Sequence, residues 1–109
     1  MRTVFHVSDA DAYRTAKSKV RSLSGDETVD VDAIAIVIDH PNSIDAAAGR
    51  LRGTTESLLS DGAKVKLCTN SLGLADSSEA TFPPGVELVS SGVGELTRLQ
   101  ESGWNYIRL

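Results

Sequence analysis

Ala33-Ile34-Ala35-Ile36-Val37-Ile38 is the stretch on which the fold turns. Its apolar residues run without a break rather than alternating, the pattern of a strand covered on both faces within a parallel sheet. Toward the N-terminus, Gly25 to Asp32 is a polar, acidic loop. Before that loop, Tyr13, Ala16, Val20 and Leu23 recur at spacings of three and four, the stripe of an amphipathic helix that Gly25 ends. Ser8 and Asp11 read as the pair that caps this helix, and Thr3 to Val7 reads as the first strand. Toward the C-terminus, a second helix is predicted from Asn42 or Ser43, burying Ile44, Ala47, Ala48, Leu51 and Leu58 and closing at Gly62. Gly49 and Gly53 fall inside it, each at a cost of ~1 kcal/mol against alanine. They are candidates for a close helix contact between subunits.

Three more strands are expected at Lys64–Thr69, Val86–Val89 and Asn105–Leu109. Val93, Leu96 and Leu99 mark a helix between the last two, with Gly92 near its start and Gly103 at its end. Asn70 to Gly85 is irregular, with about one helical turn before Pro83-Pro84-Gly85. The order β-α-β-α-β-loop-β-α-β demands an α/β fold: a mostly parallel five-stranded sheet with helices on its faces. At 109 residues the chain is expected to be one domain, residues 1–109.

Composition excludes several classes. Hydrophobic residues make up 40% and charged residues 24%, the balance of a soluble globular protein. The longest apolar run, Ala33 to Ile38, falls far short of the ~20 residues that cross a bilayer, so no membrane partner is expected. From Met1 the chain runs directly into the first strand, without a charged leader, apolar core and cleavage site in order, and a cytoplasmic location is expected. A net charge of −4 with no Lys/Arg cluster argues against nucleic acid as a partner. One cysteine, Cys68, allows no disulfide within the chain and fits a reducing compartment.

In open parallel sheets, ligands bind beyond the carboxyl ends of the strands. Those ends read His6-Val7-Ser8-Asp9, Asp39-His40-Pro41-Asn42, Cys68-Thr69-Asn70-Ser71 and Ser90-Ser91-Gly92. Cys68, Asp39, His40, Asn70, Ser71 and Gly92 are therefore expected on one rim. A lone cysteine is commonly an inert core thiol. Two features favour a reactive one: Cys68 shares strand parity with Lys64 and Lys66 rather than with Val65 and Leu67, and it directly precedes a polar turn whose N–H groups would stabilise a thiolate. His40 either terminates its strand or assists the thiol by lowering its pKa or moving a proton. One cysteine and two histidines, His6 and His40, show no metal-ligand spacing, and no phosphate-binding glycine fingerprint is present, so no metal or cofactor is expected. Asp39 with Asp9 and Asp11 evokes a phospho-acceptor pocket, but Asp39 closes the second strand and no lysine ends the fifth.

The run Cys68-Thr69-Asn70-Ser71-Leu72, then Pro84-Gly85-Val86-Glu87-Leu88-Val89, Ser91-Gly92-Val93-Gly94-Glu95-Leu96 and Leu99-Gln100-Glu101-Ser102-Gly103-Trp104-Asn105-Tyr106-Ile107-Arg108, resembles the small DsrE/DsrF-like proteins. The N-terminal half agrees more loosely, through Val4-Phe5-His6-Val7 and a histidine closing the second strand. The resemblance implies a three-layer α/β/α sandwich, DsrE-like, and a place among sulfur-relay proteins. Such proteins carry sulfane sulfur as a persulfide on the cysteine that Cys68 matches, between donor and acceptor proteins of sulfur oxidation or tRNA thiolation. His40, Asn70 and Ser71 would line its pocket. Pro41 stands where relatives often have glycine. The resemblance also implies a homo-oligomer, a trimer or a hexamer built from trimers, for which Phe82, Trp104 and Tyr106 are candidate interface anchors. The competing expectation is a non-catalytic oligomeric binding or scaffold module.

Overall fold

The computed structural model describes residues 1–109. Its elements are β1 (Arg2–Val7), α1 (Ala10–Ser24), β2 (Ala33–Ile38), α2 (Pro41–Ala48), α3 (Arg52–Ser60), β3 (Lys64–Cys68), α4 (Thr69–Leu74), a 3₁₀ turn (Glu79–Thr81), β4 (Glu87–Val89), α5 (Gly92–Glu101) and β5 (Asn105–Arg108). All strand pairs are parallel, in the order β4-β3-β2-β1-β5. The α/β class and the three-layer sandwich are as expected.

The two helical layers differ in thickness. Phe5, Val7, Ile34, Ile36, Ile38, Val65 and Leu67 face one side and pack with Tyr13, Ala16, Val20, Ile44, Ala47 and Leu58 in an 18-residue core. On the other side Val4, Ala35 and Val37 meet only Leu96 and Leu99 of α5, with Trp104 against them. The strand parity that sends apolar residues into the thick layer sends His6, Lys66 and Cys68 toward the thin one. This is the side that the alternation along β3 predicted for Cys68.

Chain direction then makes a crevice. Successive strands β1, β2, β3 and β4 step toward one edge, whereas α5 carries the chain back to β5 at the far edge, beside β1. Leu72 of α4 packs on the thick layer and Leu96 of α5 on the thin one. The connections leaving β3 and β4 therefore part to opposite faces. Cys68 pairs with Val89 at that fork, where Thr69 Oγ1 donates to Val89 O at 2.6 Å. In α/β sheets such a fork is the place where ligands bind.

Four local expectations are corrected. The cap of α1 is Asp9, whose carboxylate accepts from Ala12 N at 2.8 Å, rather than the Ser8–Asp11 pair. The single second helix is two, α2 ending at Gly49 and α3 beginning at Arg52, with Gly53 in the first turn of α3. Thr55 Oγ1 donates to Ala47 O at 2.8 Å and contacts the buried Tyr13 hydroxyl at 2.6 Å, so the carbonyl freed by the break keeps a partner. Val93 is 70% exposed rather than part of the α5 core stripe. Phe82 is buried in the main core, so it fills the interior and is no surface anchor. Gly62 does follow the end of α3, at φ +88°, a conformation that glycine adopts freely.

Candidate functional site

Asp39, His40, Cys68, Asn70, Ser71 and Gly92, with Ser8, Pro41, Ser91 and Val93, line one open cleft of ≈ 380 Å³ at the β3/β4 fork. Every residue predicted for the site is thus brought to one place. Cys68 lines it while being only 5% exposed.

Four donors lie near the sulfur. Burial pushes the thiol toward its neutral form, but the Ser71 hydroxyl and the backbone N–H groups of Ser71, Gly92 and Asn70 favour the thiolate and outweigh it. The net effect holds Cys68 below the ordinary thiol value. Three of these groups come from the chain turning into α4 directly after Cys68, and Gly92 N comes from the first residue of α5. Ser91 caps α5, its hydroxyl accepting from Gly94 N at 3.0 Å. The parting of the two helices is what leaves both N-terminal ends facing one sulfur.

His40 contributes through its main chain. Its φ of +76° is the only positive value at a non-glycine residue. That conformation directs His40 N to the Ser71 hydroxyl at 2.8 Å, while Ser43 Oγ donates to His40 O at 3.1 Å. The imidazole caps α2, with Nδ1 accepting from Asn42 N at 3.3 Å. Its ring makes no hydrogen bond to Cys68. Pro41 occupies the first turn of α2, where its missing N–H costs nothing.

Asp39 faces Gly92 so closely that a Cβ on Gly92 would lie 3.3 Å from its carboxylate Oδ2. The same carboxylate accepts from Ser8 Oγ (2.7 Å) and pairs with His6 Nε2 (2.8 Å). His6 Nδ1 in turn meets the Tyr106 hydroxyl at 2.7 Å. Sequence reading did not place His6, Ser8 or Tyr106 in the site. A signal existed for the first two, since Val4 and His6 share one parity of β1 and Ser8 directly follows its end. Tyr106 joins them because β5 lies beside β1, with Tyr106 opposite Val4.

A second, larger cleft of ≈ 690 Å³ opens on the other side of His40 and Ser8 and is lined further by Asp9, Asp11, Asn42, Asp45 and Arg50. Asp45 there accepts from the backbone N–H groups of Ser77 (2.8 Å) and Asp76 (3.2 Å), which fastens the segment after α4 to α2. No three His, Cys, Asp or Glu side chains are grouped so as to hold a metal ion, and no helix is long and apolar enough to cross a membrane.

No protein-family model matches the chain, and no curated protein matches it. A solved structure of a protein of unknown function from Methanobacterium thermoautotrophicum is similar over nearly the whole length. It is 29% identical, with 99% of this chain and 98% of that chain covered and a TM-score of 0.83. The similarity carries the three-layer fold across the entire domain.

Proposed function

We propose that this protein carries sulfane sulfur as a persulfide on Cys68, a sulfurtransferase-type relay between a donor and an acceptor protein. The observation that carries the reading is the placement of the lone thiol in the cleft at the β3/β4 fork, between the starts of α4 and α5, whose donors hold its pKa down. Sulfur transfer needs an attacking thiolate, and a depressed thiol pKa keeps that form populated near neutrality. The Cys68 thiolate attacks the outer sulfur of a donor persulfide, R–S–SH. The new bond joins the two sulfurs, the S–S bond of the donor breaks, and the electron pair leaves on R–S⁻. Cys68–S–SH remains, with no net oxidation. The motif resemblance to DsrE/DsrF-like proteins supports the same chemistry.

Incubation with a persulfide donor and measurement of intact mass tests it. The native chain should gain one sulfur atom and Cys68→Ser none; equal gain by both, or none by either, overturns the carrier role. The second reading, a non-catalytic oligomeric module, is favoured by the exposed strand β5, where Tyr106 and Ile107 remain 39% and 43% accessible. We propose self-association, as a trimer or a hexamer built from trimers, under either reading. Light scattering coupled to size exclusion decides it, a mass near 11.5 kDa at all dilutions refuting assembly.

A further inference from the structure

Beneath the thin helical layer, a chain of hydrogen bonds runs from the edge of the sheet to the thiol cleft. Tyr106 Oη lies 2.7 Å from His6 Nδ1, and His6 Nε2 lies 2.8 Å from Asp39 Oδ2. Asp39 lines the cleft that holds Cys68, and its carboxylate packs against Gly92, whose N–H serves the sulfur. His6 is 7% exposed, and its ring is gripped on both nitrogens. This is not the arrangement of a nucleophilic serine. Ser8 gives its proton to Asp39 at 2.7 Å, and His6 Nε2, 3.4 Å from Ser8, is already engaged by that carboxylate.

We propose that His6, acting through Asp39 and steadied by Tyr106, stores the proton that the leaving thiol takes when sulfur passes to Cys68. The inference rests on the carrier reading and adds to it a source for that proton.

The geometry suits both protonation states of the ring. Protonated His6 donates from Nε2 to Asp39 and from Nδ1 to the Tyr106 hydroxyl oxygen. Once the Nε2 proton has passed to Asp39, the neutral ring keeps its Nδ1–H on Tyr106, and the Ser8 hydroxyl, 3.4 Å from Nε2, is the donor within reach of the bared nitrogen. The imidazole therefore gains or loses a proton without leaving either nitrogen unpaired. The charged groups facing the ring are Asp39 from β2 and Arg108 from β5, whose Nη1 lies 3.4 Å from Nδ1. Ser8, just after β1, and Tyr106 are the other titratable or polar groups facing it.

The step balances. Cys68–S⁻ and R–S–SH with protonated His6 give Cys68–S–SH, R–SH and neutral His6. One sulfur–sulfur bond forms, one breaks, and the proton moves from the imidazole by way of the Asp39 carboxylate to the departing thiolate. In discharge to an acceptor the proton returns. Asp39 is the group that would touch the substrate, whereas His6 and Tyr106 act through it as positioning residues.

Two reagents separate this role from a structural one. Iodoacetamide reports the Cys68 thiolate alone, because iodide leaves without a proton. Cysteine persulfide as donor reports thiolate and proton supply together. In His6→Gln and Tyr106→Phe, the pH profile of alkylation should match the native protein. Sulfur uptake should slow roughly 10- to 100-fold and lose its dependence on a protonated group. Equal slowing of both reactions would show that His6 merely supports the cleft and would overturn the inference. So would uptake profiles identical to the native one. No uptake by the native protein itself would overturn the carrier reading, and the proton role with it.

Discussion

Ser71 is the one side-chain donor to the Cys68 sulfur, so Ser71→Ala isolates a single contribution to the thiolate. A hydrogen bond to a charged group is worth about 1.5–3 kcal/mol, and the lower end applies because the cleft is open and water replaces part of what is lost. About 1.4 kcal/mol is a factor of ten, so the thiolate fraction at pH values well below the midpoint should fall about tenfold. The surviving thiolate is more basic and hence more nucleophilic. With a Brønsted coefficient of ~0.45, it regains about threefold in attack on a small disulfide. The net expectation is a rate about three- to fourfold lower in the acidic range, equal or higher rates at the alkaline plateau, and an inflection moved to higher pH. Stopped-flow reaction of the native and Ser71→Ala proteins with an uncharged disulfide measures all of this. A parallel drop at every pH, with the inflection unmoved, would mean that Ser71 shapes access to the cleft and that the electrostatic reasoning is wrong.

Glu95→Gln should lower stability by about 3 kcal/mol in urea unfolding, because Glu95 holds buried Lys66 and leaves it with only Glu87 at 3.7 Å. Pairing Lys66→Met with Glu95→Leu should recover most of that loss, and a single variant as stable as the native chain would refute the assignment. Burial resists the Glu95 charge, but Lys66 and Arg98 hold its pKa below the usual carboxylate range. Its contribution is thus complete above the ordinary glutamate value of ~4.3, is lost as pH falls through its folded value, and should be missing from the acid limb of Glu95→Gln. For Cys68, burial raises and the four donors lower the pKa, the donors prevailing. Native stability should therefore rise with pH from the folded pKa up to ~8.5, the ordinary thiol value, and Cys68→Ser should flatten that rise. Gly92→Ala, whose new methyl would lie 3.3 Å from both Cβ and Oδ2 of Asp39, should cost about 1 kcal/mol and slow Cys68 alkylation; unchanged reactivity would show that Asp39 has room to move.

The rim of the site was legible because strand ends are legible. Ala33 to Ile38 declares a strand covered on both sides, and once β3 is placed, Cys68 must close it on the side opposite Val65 and Leu67. Strand order was not legible, since nothing local says that β5 passes β2 and β3 to pair with β1. His6 and Tyr106 lie a hundred residues apart in sequence and meet only through that pairing. The break at Gly49 was hidden for a similar reason. What sustains it is a tertiary bond, Thr55 to Ala47 O backed by the Tyr13 hydroxyl, while the apolar spacing reads straight through. Val93 misled in the opposite sense, being on the helical stripe yet in the first turn of α5, over the cleft rather than over the sheet.

His40 joins these levels. A non-glycine residue held at φ +76° costs on the order of 1–3 kcal/mol, and such strain persists where the surroundings enforce it. Here the strain has a chemical result. By directing His40 N–H at Ser71 Oγ, it occupies that hydroxyl as an acceptor and leaves its single proton for the sulfur. The part of His40 that matters to the thiol is then its backbone, and two substitutions distinguish backbone from ring. His40→Gly relieves the strain and loses a weak cap, so its stability should equal or exceed the native value by up to about 1 kcal/mol. His40→Ala loses the cap and keeps the strain, and should be less stable than native by about 1 kcal/mol. Both retain the N–H to Ser71, and in both the pH profile of Cys68 alkylation should follow that of the native chain. If either substitution moves the inflection, the imidazole itself acts on the thiol, and the division of labour between His40 and Ser71 drawn from the geometry is wrong.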